Sequence, residues 1–283
     1  MRSIAIMNQK GGVGKTTTAV NVGAALAEAG QRVGLVDLDP QAHASLHLGV
    51  EPALDAPTIY DVLVRDASLV DTRRRVAENL WLVPSHLDLA AAEVELAGVV
   101  GREVILRDRL QDYHEPLDYL LVDCPPSLGV LTLNALAAVE EVFIPLQPHF
   151  LALHGLGKLL ETIDLVARRL NHRLRLTGVV FCMYDAQTRL AIEVSEDVDE
   201  FFRAARGQAT PWAGARTFQT RIRRNVRLAE APSFGQSIFQ YAPDSNGARD
   251  YRQLAQEIQA GSAVGGGSKG PAAAPSADAV TGR

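Results

Sequence analysis

The chain has 283 residues, 47% hydrophobic and 22% charged, enough for one large domain with a sizeable core. Its 33 acidic against 28 basic side chains give a net charge of −5, which excludes a global positive field; any contact with nucleic acid needs a local basic patch. Two distant cysteines, Cys124 and Cys182, argue against a disulfide framework or a zinc site, and no apolar run approaches the ~18 residues of a membrane span. A reducing cytoplasm is the expected setting, and with the sequence opening directly on a strand no signal peptide is expected.

In chain order, Ser3 to Asn8 reads as a buried strand and Lys15 to Ala29 as a helix with Gly30 as its stop. Between them lies Gln9-Lys10-Gly11-Gly12-Val13-Gly14-Lys15-Thr16-Thr17. Strand, glycine-rich turn, Lys-Thr and helix form the context of a phosphate-cradling loop. Glycines 11, 12 and 14 let backbone N–H groups close around phosphate oxygens, and the helix start adds its dipole. Lys15 is placed to reach the β- and γ-phosphates and the Thr16 hydroxyl to bind Mg²⁺.

Arg32 to Leu38 reads as the next strand, closing a right-handed βαβ unit and ending in Asp37-Leu38-Asp39-Pro40-Gln41. Asp37 and Asp39 face the same way on an extended chain, at a strand's carboxyl end where ligands bind in open α/β sheets. Residues 42–76 show no clear period beyond one or two short helices; His43 and His47, four apart, read as polar surface. Leu80 to Ser85 reads as a strand, Leu87 to Val99 and Arg102 to Tyr113 as helices. Asp118 to Asp123 is an apolar strand ending in an acid, the Walker B arrangement, so Asp123 would hold a Mg²⁺-bound water. Further strands are expected at Glu141 to Leu146 and Leu174 to Met183, with helices at Gly155 to Leu170, Ile192 to Phe202 and Asn246 to Ala260. The alternation predicts an α/β fold, a doubly wound and mostly parallel sheet flanked by helices. After Gly261 the sequence turns Gly-, Ala- and Pro-rich, and residues 261–283 are expected to be a disordered tail behind a domain of residues 1–260.

The loop departs from the usual Walker A pattern: Gln9 stands where Gly is expected, and Lys10 adds a second lysine. This K-G-G-x-G-K-T-T form is the deviant Walker A motif. With Asp37-Leu38-Asp39-Pro40-Gln41, Asp123-Cys124-Pro125-Pro126 and Met183-Tyr184-Asp185, it makes residues 1–260 resemble the ParA/MinD family of ATPases, in particular Soj-like ParA proteins of chromosome and plasmid partition. The resemblance implies ATP and Mg²⁺ as ligands, with residues 10–17 as nucleotide loop. It implies Lys10, Lys15 and Asp39 as catalytic, with Asp39 orienting the attacking water and Asp37 supporting the Thr16–Mg²⁺ shell. It implies an ATP-bound homodimer in which Lys10 reaches across, non-specific DNA as a partner, and a ParB-type activator, on the nucleoid and not at a membrane.

A run of arginines, Arg216, Arg221, Arg223, Arg224 and Arg227, has no acid among it, and arginine suits phosphate geometry. By the family match Arg224 is the foremost DNA contact, with Arg189, Arg221 and Arg227 as neighbours, and Asn225 and Arg223 lie at the adenine site. Arg223 stands where the family usually has Pro. No amphipathic tail of the MinD kind and no N-terminal helix-turn-helix extension is expected. The alternative reading is an ATP-switched positioning protein for a non-DNA cargo, MinD-like or serving a protein organelle; a third is a synthetase-like transferase on the same loop.

Overall fold

The computed structural model describes residues 1–51, 56–150 and 152–265. The first half contains β1 (Arg2–Ile6), α1 (Lys15–Glu28), β2 (Val33–Asp37), α2 (His43–His47), α3 (Ile59–Val64), α4 (Leu69–Thr72), β3 (Arg74–Ala77), β4 (Leu80–Val83), α5 (Leu89–Glu95), α6 (Ile105–Gln111) and β5 (Tyr119–Asp123). The second half continues with α7 (Val130–Ala138), β6 (Glu141–Leu146), α8 (Ala152–Arg169), β7 (Arg175–Tyr184), α9 (Arg189–Ala204), β8 (Arg216–Thr217), β9 (Ile222–Arg223), α10 (Val226–Glu230), α11 (Ile238–Tyr241) and α12 (Asn246–Gly265).

The strands order as β3-β4-β2-β5-β1-β6-β7-β8, with β9 also on β7. Every pairing is parallel except β3–β4 at the edge. The expected doubly wound, mostly parallel sheet is therefore found. β2 and β5 are buried along their whole length, which is why they read as apolar runs rather than alternating patterns. Successive side chains still divide between two cores. Ile4, Ile6, Leu35 and Leu121 pack under α1, α11 and α12, while Ala5, Val36, Leu120 and Val122 pack under α3 and α5 to α9.

The register fixes the site. Ile6, Asp37 and Asp123 are aligned partners across β1, β5 and β2, so both acids end at the level where β1 gives way to the glycine loop. All three carboxyl ends open onto one edge of the sheet.

Some elements differ from the sequence reading. The stretch 42–76 holds three short helices and the antiparallel β3. Helix α7 had no sequence signal because it is apolar on most sides: Leu131, Ala135, Leu136 and Ala137 are all buried. The helix expected over Arg102 to Tyr113 is confined to Ile105–Gln111. Helix α12 runs past the expected Gly261 boundary to Gly265. A Cβ at Gly261 would meet the tip of the exposed Arg216 side chain, Nη2, at 2.8 Å. The remainder of the expected tail, 266–283, lies outside the described residues.

Candidate active site

The loop is anchored before it turns. Asn8 donates from Nδ2 to the Pro145 carbonyl (2.7 Å) and accepts the Lys10 amide on Oδ1 (3.0 Å). Gly12 and Gly14 have φ of 73° and 95°, a region where a Cβ would strain the chain. Gly14 is the N-cap of α1 and offers no side-chain cap; the Thr18 amide donates back to its carbonyl (2.9 Å). The amides ahead of Thr18 thus have no intrahelical acceptor, the condition for an anion site. Lys15 is buried, and its ammonium donates only to the Lys10 carbonyl at 3.3 Å.

The two acids at the strand ends are not equivalent. Asp37 is fully buried and engaged: Oδ2 accepts the Ser45 amide and hydroxyl, both at 2.8 Å, and Oδ1 the Asp39 amide at 3.3 Å. Burial pushes its carboxyl up to about 6, against the pull of the Ser45 bonds. Asp123 is as buried, but neither oxygen makes a hydrogen bond of ordinary geometry among the described residues, the Thr16 hydroxyl being near but not in line. Desolvation first, then the Asp37 carboxylate, holds it well above the ordinary carboxylate range, while Thr16 and Lys15 pull it down. A carboxylate left so, facing a hydroxyl and an ammonium, is suited to a cation and its water. Among the described residues no group of three or more His, Cys, Asp or Glu could hold a metal alone. A Mg²⁺ here fits only with Thr16, waters and phosphate oxygens as ligands. Asp37, its oxygens engaged by Ser45 and Asp39, backs Asp123 and fixes α2.

Asp39 accepts the Gln41 amide on Oδ1 (2.9 Å), and its own carbonyl accepts the Ser85 hydroxyl (2.7 Å). Ser85 in turn donates its amide to Ser45 Oγ (3.0 Å). Nothing in the sequence distinguishes the two serines, yet they hold the Asp37 carboxylate and the Asp39 backbone.

The loop and Asp39 open on one cavity of ≈ 950 Å³. Gly11, Gly12, Gly14, Lys15, Thr16, Thr17 and Asp39 line one end; Met183, Arg223, Arg224, Asn225 and Val226 line the other. Residues 39 and 225 are far apart in sequence but share this wall. The halves also touch: Gly49, after α2, and Gly235, after α10, meet so closely that a Cβ on Gly235 would lie 2.8 Å from Gly49 Cα. Asn225 caps α10 by accepting the Arg227 amide on Oδ1 (2.9 Å). Val13, expected among the nucleotide-loop residues, is buried beneath the loop, so only its backbone serves the site.

The arginines separate into exposed and committed groups. Arg224 is exposed and has no ion pair among the described residues. Arg227 is paired with Glu230 (2.8 Å) and Arg189 with Glu193 (2.7 Å), both on exposed helix surfaces. Arg223 is bonded to Asp250 (2.5 Å), a carboxylate only 4% exposed. Arg221, expected among the DNA contacts, is turned partly inward. Its guanidinium lies over the rings of Phe181 (4.5 Å) and Tyr184 (5.8 Å), donates to the Phe218 carbonyl, and is half-buried enough that desolvation lowers its pKa. The sequence shows a free arginine there because its aromatic partners come from β7.

Lys10 is exposed at the mouth of the cavity, where its Nζ lies 2.7 Å from His149 Nε2. Burial, and then the Lys10 charge, lower the His149 pKa. His149 lies 139 positions from Lys10, beyond the reach of motif reading. No helix among the described residues is long and apolar enough to cross a membrane.

A family model described as an AAA domain matches residues 1–176. The chain is 48% identical to the sporulation initiation inhibitor protein Soj of Bacillus subtilis, over 91% of this chain and 98% of that one. It is 43% identical to the chromosome partitioning protein ParA of Caulobacter vibrioides, over 91% and 94%. A crystal structure of a Mycobacterium smegmatis protein, described as cobyrinic acid a,c-diamide synthase with bound ATP analog and magnesium, is 36% identical. It covers 94% of this chain and 97% of that one, with a TM-score of 0.78. Identity at this level along nearly the whole of both sequences means that the chain belongs to the Soj/ParA family and is a P-loop ATPase.

Proposed function

We propose that this ATPase closes as a homodimer on ATP, binds DNA without sequence preference, and drives chromosome or plasmid segregation with a ParB-type activating partner. The observation that carries the reading is the single cavity joining the phosphate loop, Asp39 and the arginine–asparagine segment. Its two ends have the right chemistry for a nucleotide: open amides and lysine for the phosphates, and an unengaged Asn225 Nδ2 donor for a base. Mg²⁺, held by the Thr16 hydroxyl with Asp123 behind a water, would neutralise phosphate charge.

The protein's own residues then act by position. Lys15 neutralises the phosphate oxygens from beneath the loop. Asp39, fixed by its bonds to Gln41 and Ser85, orients the attacking water. Lys10 leaves His149 and reaches the nucleotide of the other protomer, adding positive charge where the transition state develops negative charge. Dimerisation sets two copies of Arg224 on one face, with Arg227 and Arg189 at its margin. Two linked patches bind DNA more tightly than one, and hydrolysis opens the pair and releases it. The protein would then be cytoplasmic and nucleoid-associated. The relatives' names, Soj and ParA in chromosome partitioning, support this reading over a non-DNA cargo.

The test is phosphate release and DNA co-sedimentation with Mg-ATP and no other substrate. Slow turnover that rises with DNA and a ParB-type protein is expected. Turnover that requires a small metabolite would instead favour a synthetase, the activity named for the Mycobacterium smegmatis relative. Asp39→Ala should retain ATP and stay on DNA; rapid release by that variant would count against a water-orienting role.

A further inference from the structure

Arg223 has an unusual attachment. Asp250, on α12 and 27 positions away, accepts four hydrogen bonds from this one residue: from its amide (3.0 Å), twice from Nε (3.1 Å each) and from Nη2 (2.5 Å). A nearly buried carboxylate thus fixes both the backbone of β9 and the plane of a guanidinium that remains 49% exposed at the wall of the cavity. Nη1 has no partner among the described residues. The next residue on α12 reaches the phosphate-loop helix. Tyr251 is buried, and its hydroxyl lies 3.1 Å from Thr18 Oγ1, one turn below Gly14. Adjacent residues of one helix therefore hold the far wall of the cavity and the helix of the phosphate loop.

We propose that Asp250 is a positioning residue for the nucleobase. It presents the Arg223 guanidinium as a fixed, flat cationic surface on which the base of a bound nucleotide stacks. The proposal rests on the reading that the cavity holds a nucleotide. Guanidinium planes stack well on aromatic faces, and an arginine left free loses much rotamer freedom when it does so. Asp250 orders the side chain before a ligand arrives, which is how preorganisation strengthens binding. A lysine at 223 would keep the charge and the ion pair but has no planar face.

The experiment compares two probes on the full chain: Mg-ATP and Mg-tripolyphosphate, which has the phosphates without a base. Calorimetry is run on the wild type, Arg223→Lys and Asp250→Asn. Stacking on a side chain is worth about tenfold or more in affinity per base. Both variants should therefore lose about tenfold for ATP while binding tripolyphosphate within about twofold of the wild type. Equal losses for the two probes would show that the pair merely holds the fold, and no loss for either would show that the base does not touch it; either result overturns the proposal. Arg223→Lys, which keeps the ion pair, preserves the test if Asp250→Asn does not fold. A wild type that binds neither probe would instead overturn the nucleotide reading beneath it.

Discussion

Asp123→Asn should make the protein more stable and less able to use magnesium. The Asp123 carboxylate is fully buried, with no hydrogen bond of ordinary geometry to either oxygen among the described residues; Asp37 and Asp39 repel it, and Thr16 and, last, Lys15 attract it. Leaving a buried polar group unmet costs about 1–3 kcal/mol, and more when it is charged. An amide of the same shape removes the charge and the repulsion but keeps some unmet bonding, so the net gain is about 1–2 kcal/mol. With about 2.1 cal/mol/K of unfolding entropy per residue over about 260 residues, that is a rise in Tm of about 2–4 °C. Saturating Mg-nucleotide at about 100 times its Kd adds about 2.7 kcal/mol, or about 5 °C, to the wild type. The variant should lose the part of that shift that depends on magnesium. Calorimetric melts of both proteins, with EDTA, with ADP and EDTA, and with ADP and Mg²⁺, make the comparison. A variant that melts lower than the wild type in EDTA, or that keeps the whole magnesium-dependent shift, would refute the reasoning.

Lys10→Ala should bind ATP normally yet remain a monomer with no turnover, as read by light scattering and phosphate release; unchanged turnover would remove its cross-subunit role. Arg224→Glu should abolish DNA binding and leave the ATP dimer intact, whereas the milder Arg224→Ala, which takes away one cation per protomer and two per dimer, should make log K against log salt shallower by about 1.8; a dimerisation defect would mark Arg224 as structural. The contribution of His47 to the stability of the ligand-free protein should fall as pH drops from 6.5 towards 4, while Asp37, whose carboxyl is raised to about 6, pulls the other way over the same window. His47 is buried and its pKa is lowered to about 4, so below 6.5 the unfolded chain takes up a proton that the folded one refuses. The His47 loss reaches about 3 kcal/mol over that window, and the difference between urea melts of wild type and His47→Gln, widening in the variant's favour as pH falls, would reveal it apart from the opposing carboxyls; parallel profiles would not support it.

The sequence discloses those parts of the site that combine a chemical group with a local pattern. Lys15 and Thr16 follow glycines at the start of a helix, and Asp37 and Asp123 each close an apolar run; those patterns fix the strand ends and, through the parallel register, their common edge. What it hides are contacts between residues remote in the chain. Arg221 looks available for phosphate until β7 supplies Phe181 and Tyr184 beneath it. Asp250 looks like any acid on an amphipathic helix, and Ser45 and Ser85 like loop residues, until folding sets them against Arg223, Asp37 and Asp39. Helix α7 escapes for a different reason: buried on most sides, it has no polar stripe for a period to register.

The contact between Gly49 and Gly235 has a mechanical consequence. Both residues sit at positive φ, 70° and 64°, and each occupies the space where the other's side chain would be. The segment that follows Asp39 and the one that follows Asn225 are therefore riveted backbone to backbone. A displacement of the segment after Asp39 would thus press on main chain after Asn225, with no flexible side chain between them to absorb it.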